Sequence, residues 1–260
     1  MKLSAHLGYQ FNEVPFLERF ELAARYGYRA VEFPAPYGYA VSVLKNLMDA
    51  HELKLVQISA PMGNTAAGEK GIASFAGRRD EFVASVSIAR EAALALGCPR
   101  VHIMAGVRTD DAAGNWDAYV ENLQRAVETF SSVGIKTLVE VMSPQEVPGY
   151  LMSSFEQAEA LFSAIPNRNL ELLFDTYHAA VLEPDLLATL EHWLPRIGHI
   201  QISDFPGRHE PGTGALPFDQ IFSRLKACGY QHWVGCEYRP LCDTVGGLRY
   251  LAAYLDAPGS

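Results

Sequence analysis

Several features that define whole classes of protein are missing from this sequence of 260 residues. A transmembrane helix needs roughly 18 or more consecutive apolar residues, and the chain has no such run. The first residues, from Met1 to His6, lead directly into a strand-like segment without the apolar core of a signal peptide. The sequence therefore indicates a cytoplasmic protein without a membrane span.

Cysteine is scarce, and its spacing is uninformative. The chain contains four cysteines, none in a C-x-x-C pair: Cys98, Cys228, Cys236 and Cys242. We expect free thiols and no zinc cluster. The first strand-like run is not followed by the G-x-G-x-x-G pattern of dinucleotide-binding folds, and a P-loop is also missing. The chain shows no repeat and no low-complexity segment.

Positive charge is in deficit. The sequence has 21 Lys and Arg against 30 Asp and Glu, which gives a formal net charge of −9. Such a chain lacks the basic patch that nucleic acids and anionic membranes attract. We therefore expect neither as a partner. A small anionic substrate would need Arg or His placed locally to receive it.

What the sequence does contain is a regular alternation of strand-like and helical patterns. Strands are predicted at residues 2–8, 29–33, 53–59, 100–105, 135–141, 170–174, 198–203 and 232–237. Helices are predicted at residues 15–26, 41–51, 78–96, 116–133, 154–165, 184–193, 217–228 and 244–255.

This alternation predicts an α/β fold. Strands joined by helices of this length require crossover connections and a parallel sheet. Eight such units in about 250 residues are typical of a closed (β/α)8 TIM barrel. We expect residues 1–256 to form one barrel and residues 257–260 a C-terminal tail, with an open doubly wound sheet as the alternative.

Four successive strand-like runs end on an oxygen-bearing side chain: Glu140, Asp175, Gln201 and Glu237. Active sites of TIM barrels lie at the carboxyl ends of the strands, so these side chains should converge. Three carboxylates and an amide oxygen form a hard oxygen site, which suits Mg²⁺ or Mn²⁺ better than Zn²⁺. A lone acid at a strand end is more often a cap or an ion-pair partner, but four in register indicate a divalent metal site.

Residues on the adjoining loops are candidates for binding a substrate. His178 follows Asp175 by three residues and should face the same mouth of the barrel. Arg208 begins a loop shaped by Pro and Gly, and its guanidinium could bind a carboxylate with two hydrogen bonds. Arg78 is a second candidate for that task, and Glu69 belongs to a long Gly-rich loop that could form part of a lid.

Motifs along nearly the whole chain resemble the hydroxypyruvate isomerase family of xylose-isomerase-like barrels, which also include D-tagatose 3-epimerase. They are residues 13–20, 30–33, 67–69, 77–78, 101–106, 175–178, 198–201, 210–214 and 235–238. Met142-Ser143-Pro144, after Glu140, is closer to the 2-oxo-tetronate isomerase branch than the Glu-Pro-Ile-Asn form typical of hydroxypyruvate isomerases. This departure leaves the substrate open but not the type of reaction.

The resemblance implies roles at matching positions. Glu140, Asp175, Gln201 and Glu237 correspond to metal ligands, and Glu140 and Glu237 also to the two catalytic carboxylates. His178 and Arg208 resemble substrate-contacting positions. The implied reaction is an aldose-ketose type isomerisation of a short oxo-hydroxy acid, either 2-oxo-tetronate or hydroxypyruvate, by proton transfer between the two Glu through an enediolate.

Other activities on the same barrel remain open at this point. A ketose 3-epimerase would use the same site for a longer neutral sugar, and a lyase like inosose dehydratase would expel water. A nuclease of this fold would require several His ligands and a basic face, which the strand ends and the net charge argue against. A catalytically silent binding barrel is disfavoured by the complete ligand set. Barrels of this family often self-associate, so a homo-oligomer is a further expectation.

Overall fold

The computed structural model describes residues 1–108 and 112–255, and of residues 112–114 it describes only the backbone. The predicted tail at residues 257–260 lies outside the described residues, so the division into one domain and a tail stays a prediction. Within the described part, the chain alternates between parallel strands and helices as the sequence indicates.

One sheet of nine parallel strands forms the centre of the fold. The strands are β1 (Lys2–His6), β2 (Ala30–Glu32), β3 (Lys54–Leu55), β4 (Ile58–Ser59), β5 (Arg100–His102), β6 (Lys136–Glu140), β7 (Leu170–Asp175), β8 (Ile197–Ile202) and β9 (Trp233–Cys236). Their order in the sheet is β3-β2-β1-β9-β8-β7-β6-β5-β4. The sheet therefore begins and ends on strands that are neighbours in the chain, and it curls into a barrel.

The third predicted strand accounts for the ninth observed one. Its first part, β3, pairs with β2, and its second part, β4, pairs with β5. Val56 and Gln57 lie between the two parts, and both are buried. This segment closes the barrel, because its first half pairs with β2 and its second half pairs with β5. The predicted TIM barrel is confirmed.

Helices surround the sheet. They are α1 (Arg19–Arg25), α2 (Val41–Ala50), α3 (Arg79–Leu96), α4 (Ala112–Ser131), α5 (Phe155–Ala164), α6 (Thr176–Leu182), α7 (Leu186–Trp193), α8 (Phe218–Ala227) and α9 (Thr244–Gly247). Each longer helix buries one apolar stripe, such as Leu44 and Met48 of α2 and Ile221 and Leu225 of α8. The main core therefore lies between the sheet and the helices.

Two helices differ from the sequence prediction. Helix α6 begins directly after β7, because the Asp175 carboxylate accepts a hydrogen bond from the Tyr177 amide and caps the first turn. His178 therefore lies on a helix rather than on a loop. The predicted closing helix is shorter, since α9 ends at Gly247 and continues as a 3-10 turn from Leu248 to Leu251.

Candidate metal centre and active site

The predicted site residues converge at the carboxyl ends of the strands. A cavity of about 330 Å³ opens there, and it is lined by Glu69, Glu140, His178, Gln201, Arg208 and Glu237, among other residues. Asp175 does not line this cavity but is buried directly against Arg208 and His178. Arg78 also lies outside the lining and binds Glu69 instead. The structure thus gathers the four strand-end residues, His178 and Arg208 in one place.

Glu140, Asp175 and His178 form the compact group within this site. Their ligand atoms all lie within 4.8 Å of one another, and all three residues are buried. The Nε2 atom of His178 is 3.8 Å from Glu140 Oε1 and 3.9 Å from Asp175 Oδ2. Among the described residues, none donates a hydrogen bond to the buried Glu140 Oε1. An orphaned carboxylate oxygen beside a second acid is what a cation would satisfy, so the residues present fit a metal.

The two predicted catalytic carboxyl groups, Glu140 and Glu237, both have raised pKa values. Burial raises the pKa of Glu140 well above its ordinary value, and the charges of Glu237 and Asp175 raise it further. Burial also raises the pKa of Glu237, against the opposing effect of Arg208. Because the acids repel one another where burial limits their contact with solvent, they favour either shared protons or a bound cation.

Arg208 partly offsets this crowding of negative charge. Its Nη2 atom donates to Asp175 Oδ2 at 2.8 Å and to Glu237 Oε2 at 2.9 Å, and its Nη1 atom lies 3.3 Å from Glu146 Oε1. The guanidinium is packed between two aromatic rings, Tyr9 and Tyr177, whose centroids are 5.4 Å and 5.5 Å from Cζ. From the loop after β8, Arg208 therefore bridges Asp175 at the end of β7 and Glu237 directly after β9.

The loop that carries Arg208 is organised around one buried carboxylate. Asp204 accepts four backbone hydrogen bonds, from the amides of Phe205, Gly212, Gly214 and Leu216, at 2.8 to 3.0 Å. A carboxylate with several amide donors fixes a loop firmly, since each donor would otherwise lack a partner.

Gln201 is anchored by a residue that the sequence argument did not single out. Its Nε2 atom donates to Glu32 Oε1 at 2.8 Å. Glu32 is fully buried at the end of β2, where Ser4 Oγ donates to its other oxygen. Burial alone would raise the pKa of Glu32, but His199, His6 and Gln201 lower it to about 2.

Two further histidines reach the cavity from strand ends. His6 ends β1 and lies 3.4 Å from Glu237, and His102 ends β5 and lies 3.8 Å from Glu140. Burial lowers the pKa of His6 to about 4 and that of His102 to about 3. Both rings are therefore neutral near pH 7. The strand-end rule that selected Glu140 could also have found His6, Glu32 and His102.

His178 has a tautomer that its neighbour defines. The Ser143 amide donates to His178 Nδ1 at 3.2 Å, and the buried ring has its pKa lowered to about 4. Because Nδ1 accepts, we assign the proton of the neutral ring to Nε2, which faces the acids. His178 therefore presents an N–H donor, and a bond from Nε2 to a metal would require the proton to move to Nδ1.

The Gly-rich loop closes one side of the cavity. Arg78 binds Glu69 and Glu81, and Glu69 also accepts from the Asn64 amide. Lys70 follows Glu69, lines the cavity, and has no ion pair within the described part of the chain. The loop thus places the ammonium group of Lys70 beside an acidic site.

Comparison with known proteins defines first a class and then a family. The family model for the xylose isomerase-like TIM barrel matches residues 20–254. A crystal structure described as an AP endonuclease, family 2, from Brucella melitensis has a TM-score of 0.95 at 38% identity, covering 98% of this chain and 99% of that chain. The chain is a xylose isomerase-like TIM barrel.

Named relatives narrow this class. The 2-oxo-tetronate isomerase of Cupriavidus necator is 38% identical over 256 residues, 98% of this chain and 98% of that protein. The hydroxypyruvate isomerase of Escherichia coli is 37% identical over 257 residues, 98% of this chain and 99% of that protein. The chain belongs to the hydroxypyruvate isomerase and 2-oxo-tetronate isomerase family, a family of isomerases, which confirms the resemblance found in the sequence.

The remaining expectations concern location and assembly. Across residues 1–108 and 112–255, no helix is long and apolar enough to cross a membrane. The cytoplasmic location and the homo-oligomer stay predictions.

Proposed function

We propose that this protein is a metal-dependent isomerase that interconverts aldose-ketose type forms of a short oxo-hydroxy acid, 2-oxo-tetronate or hydroxypyruvate. The observation that carries the proposal is the pair of carboxyl groups, Glu140 and Glu237, which line one small cavity and have raised pKa values. The names of the relatives supply the substrate class. The cavity is near the lower end of the usual range for ligand sites, about 300–1,000 Å³, so it suits a small metabolite.

The proposed metal ligands are Glu140, Asp175, Gln201 and Glu237, and the proposed ion is Mg²⁺ or Mn²⁺. This oxygen-rich donor set suits a hard cation. When bound, the ion would supply Lewis-acid polarisation of the carbonyl group and hold the substrate's oxygens in place. Its charge would also relieve the repulsion among the buried acids.

Glu140 and Glu237 are proposed to move the proton. One Glu, as the carboxylate, removes the proton from the hydroxyl-bearing carbon next to the carbonyl, which gives the enediolate. The other Glu, in its protonated form, gives a proton to the former carbonyl carbon, while the substrate's hydroxyl proton passes to the former carbonyl oxygen. A proton exchanged between the two carboxyl groups restores the starting state. A pKa raised toward the working pH suits a group that must both accept and donate. His178, with its N–H on Nε2, is proposed to donate a hydrogen bond to a substrate oxygen.

The substrate's carboxylate needs a cation in this acidic site. Arg208 is the predicted partner. Its buried Nε has no hydrogen-bond acceptor in the part of the chain that the structure describes, although its Nη atoms are engaged. We add Lys70 as a second candidate because it lines the cavity without an ion pair in the described residues. Arg78 is proposed to act indirectly, by holding the Glu69 side chain that lines the cavity.

The test is a side-by-side NMR assay with hydroxypyruvate, 2-oxo-tetronate, a ketohexose and an inosose. We expect isomerisation of one or both oxo acids, loss of turnover after exhaustive EDTA treatment, and recovery with Mg²⁺ or Mn²⁺. Epimerisation of the hexose or loss of water from the inosose would replace the proposal with one of the rival activities. Full activity after EDTA would overturn the role of the metal.

A nuclease activity is the rival that the name of the Brucella melitensis structure raises. The formal charge of −9 gives this chain little attraction for DNA. Incubation of the metal-loaded protein with DNA that contains abasic sites should leave the strands intact.

A further inference from the structure

We propose that Glu32 is a positioning residue that holds the Gln201 side chain with its amide oxygen directed at the metal site. The proposal rests on the proposed function, since it concerns the neutral ligand of the metal centre. Glu32 itself does not line the cavity. Its hydrogen bond to a residue of the cavity is the one from Gln201.

The carboxylate of Glu32 dictates the orientation of the amide. A carboxylate has only acceptors, so a carboxamide that contacts it must present its NH₂ group. Gln201 does this, since its Nε2 donates to Glu32 Oε1 at 2.8 Å. Its Oε1, the atom that a metal requires, is thereby left on the other arm of the amide. Gln201 is buried and lines the cavity, so its Oε1 is the amide atom left for the metal site.

Glu32 is held in place from several strands. Ser4 of β1 donates to its Oε2 at 2.8 Å, and His199 Nε2 of β8 lies 2.7 Å from the same oxygen. The Gly235 position on β9 leaves room for it, because a Cβ atom there would stand 2.4 Å from Glu32 Oε1. The barrel therefore fixes one acceptor in its interior and aligns Gln201 against it.

Without this acceptor the amide would have two orientations of similar energy. In Glu32→Gln the new side chain carries both a donor and an acceptor, so it can pair with either arm of Gln201. Partners that orient a metal ligand typically contribute 10- to 100-fold to metal affinity. We expect Glu32→Gln to weaken Mn²⁺ binding by about this factor.

The experiment is a double-mutant cycle on Mn²⁺ affinity, measured by calorimetry and by the EPR signal of free Mn²⁺. It uses the full chain as wild type, Glu32→Gln, Gln201→Ala and the double variant. Glu32→Gln should weaken binding in the wild type but cause no further loss in the Gln201→Ala background. An equal loss in both backgrounds would mean that Glu32 acts by its charge, and would overturn the proposal.

A second variant covers the case in which Glu32→Gln does not fold. Glu32→Asp keeps the charge but withdraws the acceptor, so it should weaken Mn²⁺ binding as well, and unchanged affinity would overturn the proposal. The matched control is Glu171→Gln on β7, whose carboxylate pairs with Arg100 and Lys136 and does not line the cavity. It should bind Mn²⁺ like the wild type. Failure of the wild type to bind Mn²⁺ would instead contradict the proposed function.

Discussion

At the scale of single residues, Glu140 and Glu237 carry the chemistry that we propose. Replacing either with Gln keeps the size of the side chain but removes the group that accepts and returns a proton. General acid-base groups contribute about 10²- to 10⁴-fold to rate. We therefore expect kcat to fall at least about 100-fold in Glu140→Gln and in Glu237→Gln, measured by NMR turnover of the oxo acid.

These variants should remain folded, because neutral Gln relieves repulsion between buried acids. Circular dichroism and thermal unfolding check this point. Glu171→Gln is again the control, and it should keep wild-type turnover. Near-normal kcat in either cavity variant would contradict the paired-Glu scheme.

Lys70, the second candidate for binding the substrate's carboxylate beside Arg208, should help the protein to distinguish an acid from a neutral sugar. In Lys70→Met the side chain keeps its length but loses the charge that would meet the substrate's carboxylate. Hydrogen bonds to charged groups contribute about 1.5–3 kcal/mol, and the lower value applies to the exposed Lys70, so KM should rise about 10-fold with little change in kcat. Steady-state kinetics measure the split.

The control for Lys70→Met is Lys45→Met on α2, which removes a surface lysine paired with Asp49. It should leave KM unchanged. A fall in kcat at constant KM for Lys70→Met would mean that Lys70 acts in the chemical step instead of in binding.

At the scale of elements, the ends of strands were the most informative part of the sequence. Apolar runs that stop at Glu140, Asp175, Gln201 and Glu237 sufficed to predict where four side chains meet, since all parallel strands of a barrel end at one mouth. Ala30-Val31-Glu32 shows the same pattern, an apolar run that ends on a carboxylate. A strand end predicts proximity, but not which side chain contacts the cavity and which supports another ligand.

Contacts between loops were beyond a sequence argument. The position of Arg208 depends on Asp204, whose four amide partners come from residues 205 to 216 and are brought together only by the folded loop. The helical placement of His178 likewise depends on the Asp175 cap, while the sequence around it also suits a loop. Local pattern leaves such alternatives open because tertiary contacts decide between them.

The Asp204 loop gives a prediction at this scale. Asp204→Ala leaves four backbone N–H groups without their acceptor, in a loop where Asp204 itself is fully buried. Hydrogen bonds to charged groups contribute about 1.5–3 kcal/mol each, but water can replace some, so we expect a loss of about 3 kcal/mol in unfolding free energy. Urea denaturation measures it.

Asp185→Ala provides the comparison, because Asp185 caps α7 with one bond to the exposed Ala188 amide. A lost N-cap of this kind costs about 1 kcal/mol. Equal losses in the two variants would show that Asp204 is no more than an ordinary cap.

At the scale of the whole molecule, the barrel explains how one acidic chain can build a buried polar site. Several strands contribute a side chain at or next to their carboxyl ends, so charges that are distant in sequence share a single cavity. The sequence predicts eight strands, and the structure has these eight with the third divided into β3 and β4. Leu55 in one half and Ile58 in the other are both buried, so hydrophobicity alone could not reveal that the halves pair with different neighbours.

The buried histidines at this mouth make stability depend on pH. Burial lowers the pKa of His102 to about 3, whereas a histidine in an unfolded chain titrates near 6.5. Above pH 6.5 neither state binds the proton, so the folded state keeps its full stability. As pH falls below 6.5, the unfolded state binds a proton that the folded state refuses, and the free energy of unfolding decreases by up to about 1.4 kcal/mol per pH unit.

The His102→Asn variant isolates this effect from other titrating groups. His6 and His178 add the same trend, and Glu140 and Glu237, with raised pKa values, oppose it, but all four remain in both proteins. Urea unfolding at about pH 7.5 and about pH 5 gives the stability lost on acidification, and that loss should be roughly 2 kcal/mol smaller in the variant. The difference between the two proteins at the higher pH serves as the internal control, since it contains any change in packing but no titration of His102. An unchanged pH dependence would mean that His102 binds its proton in the folded protein, and that burial does not hold the ring neutral beside Glu140.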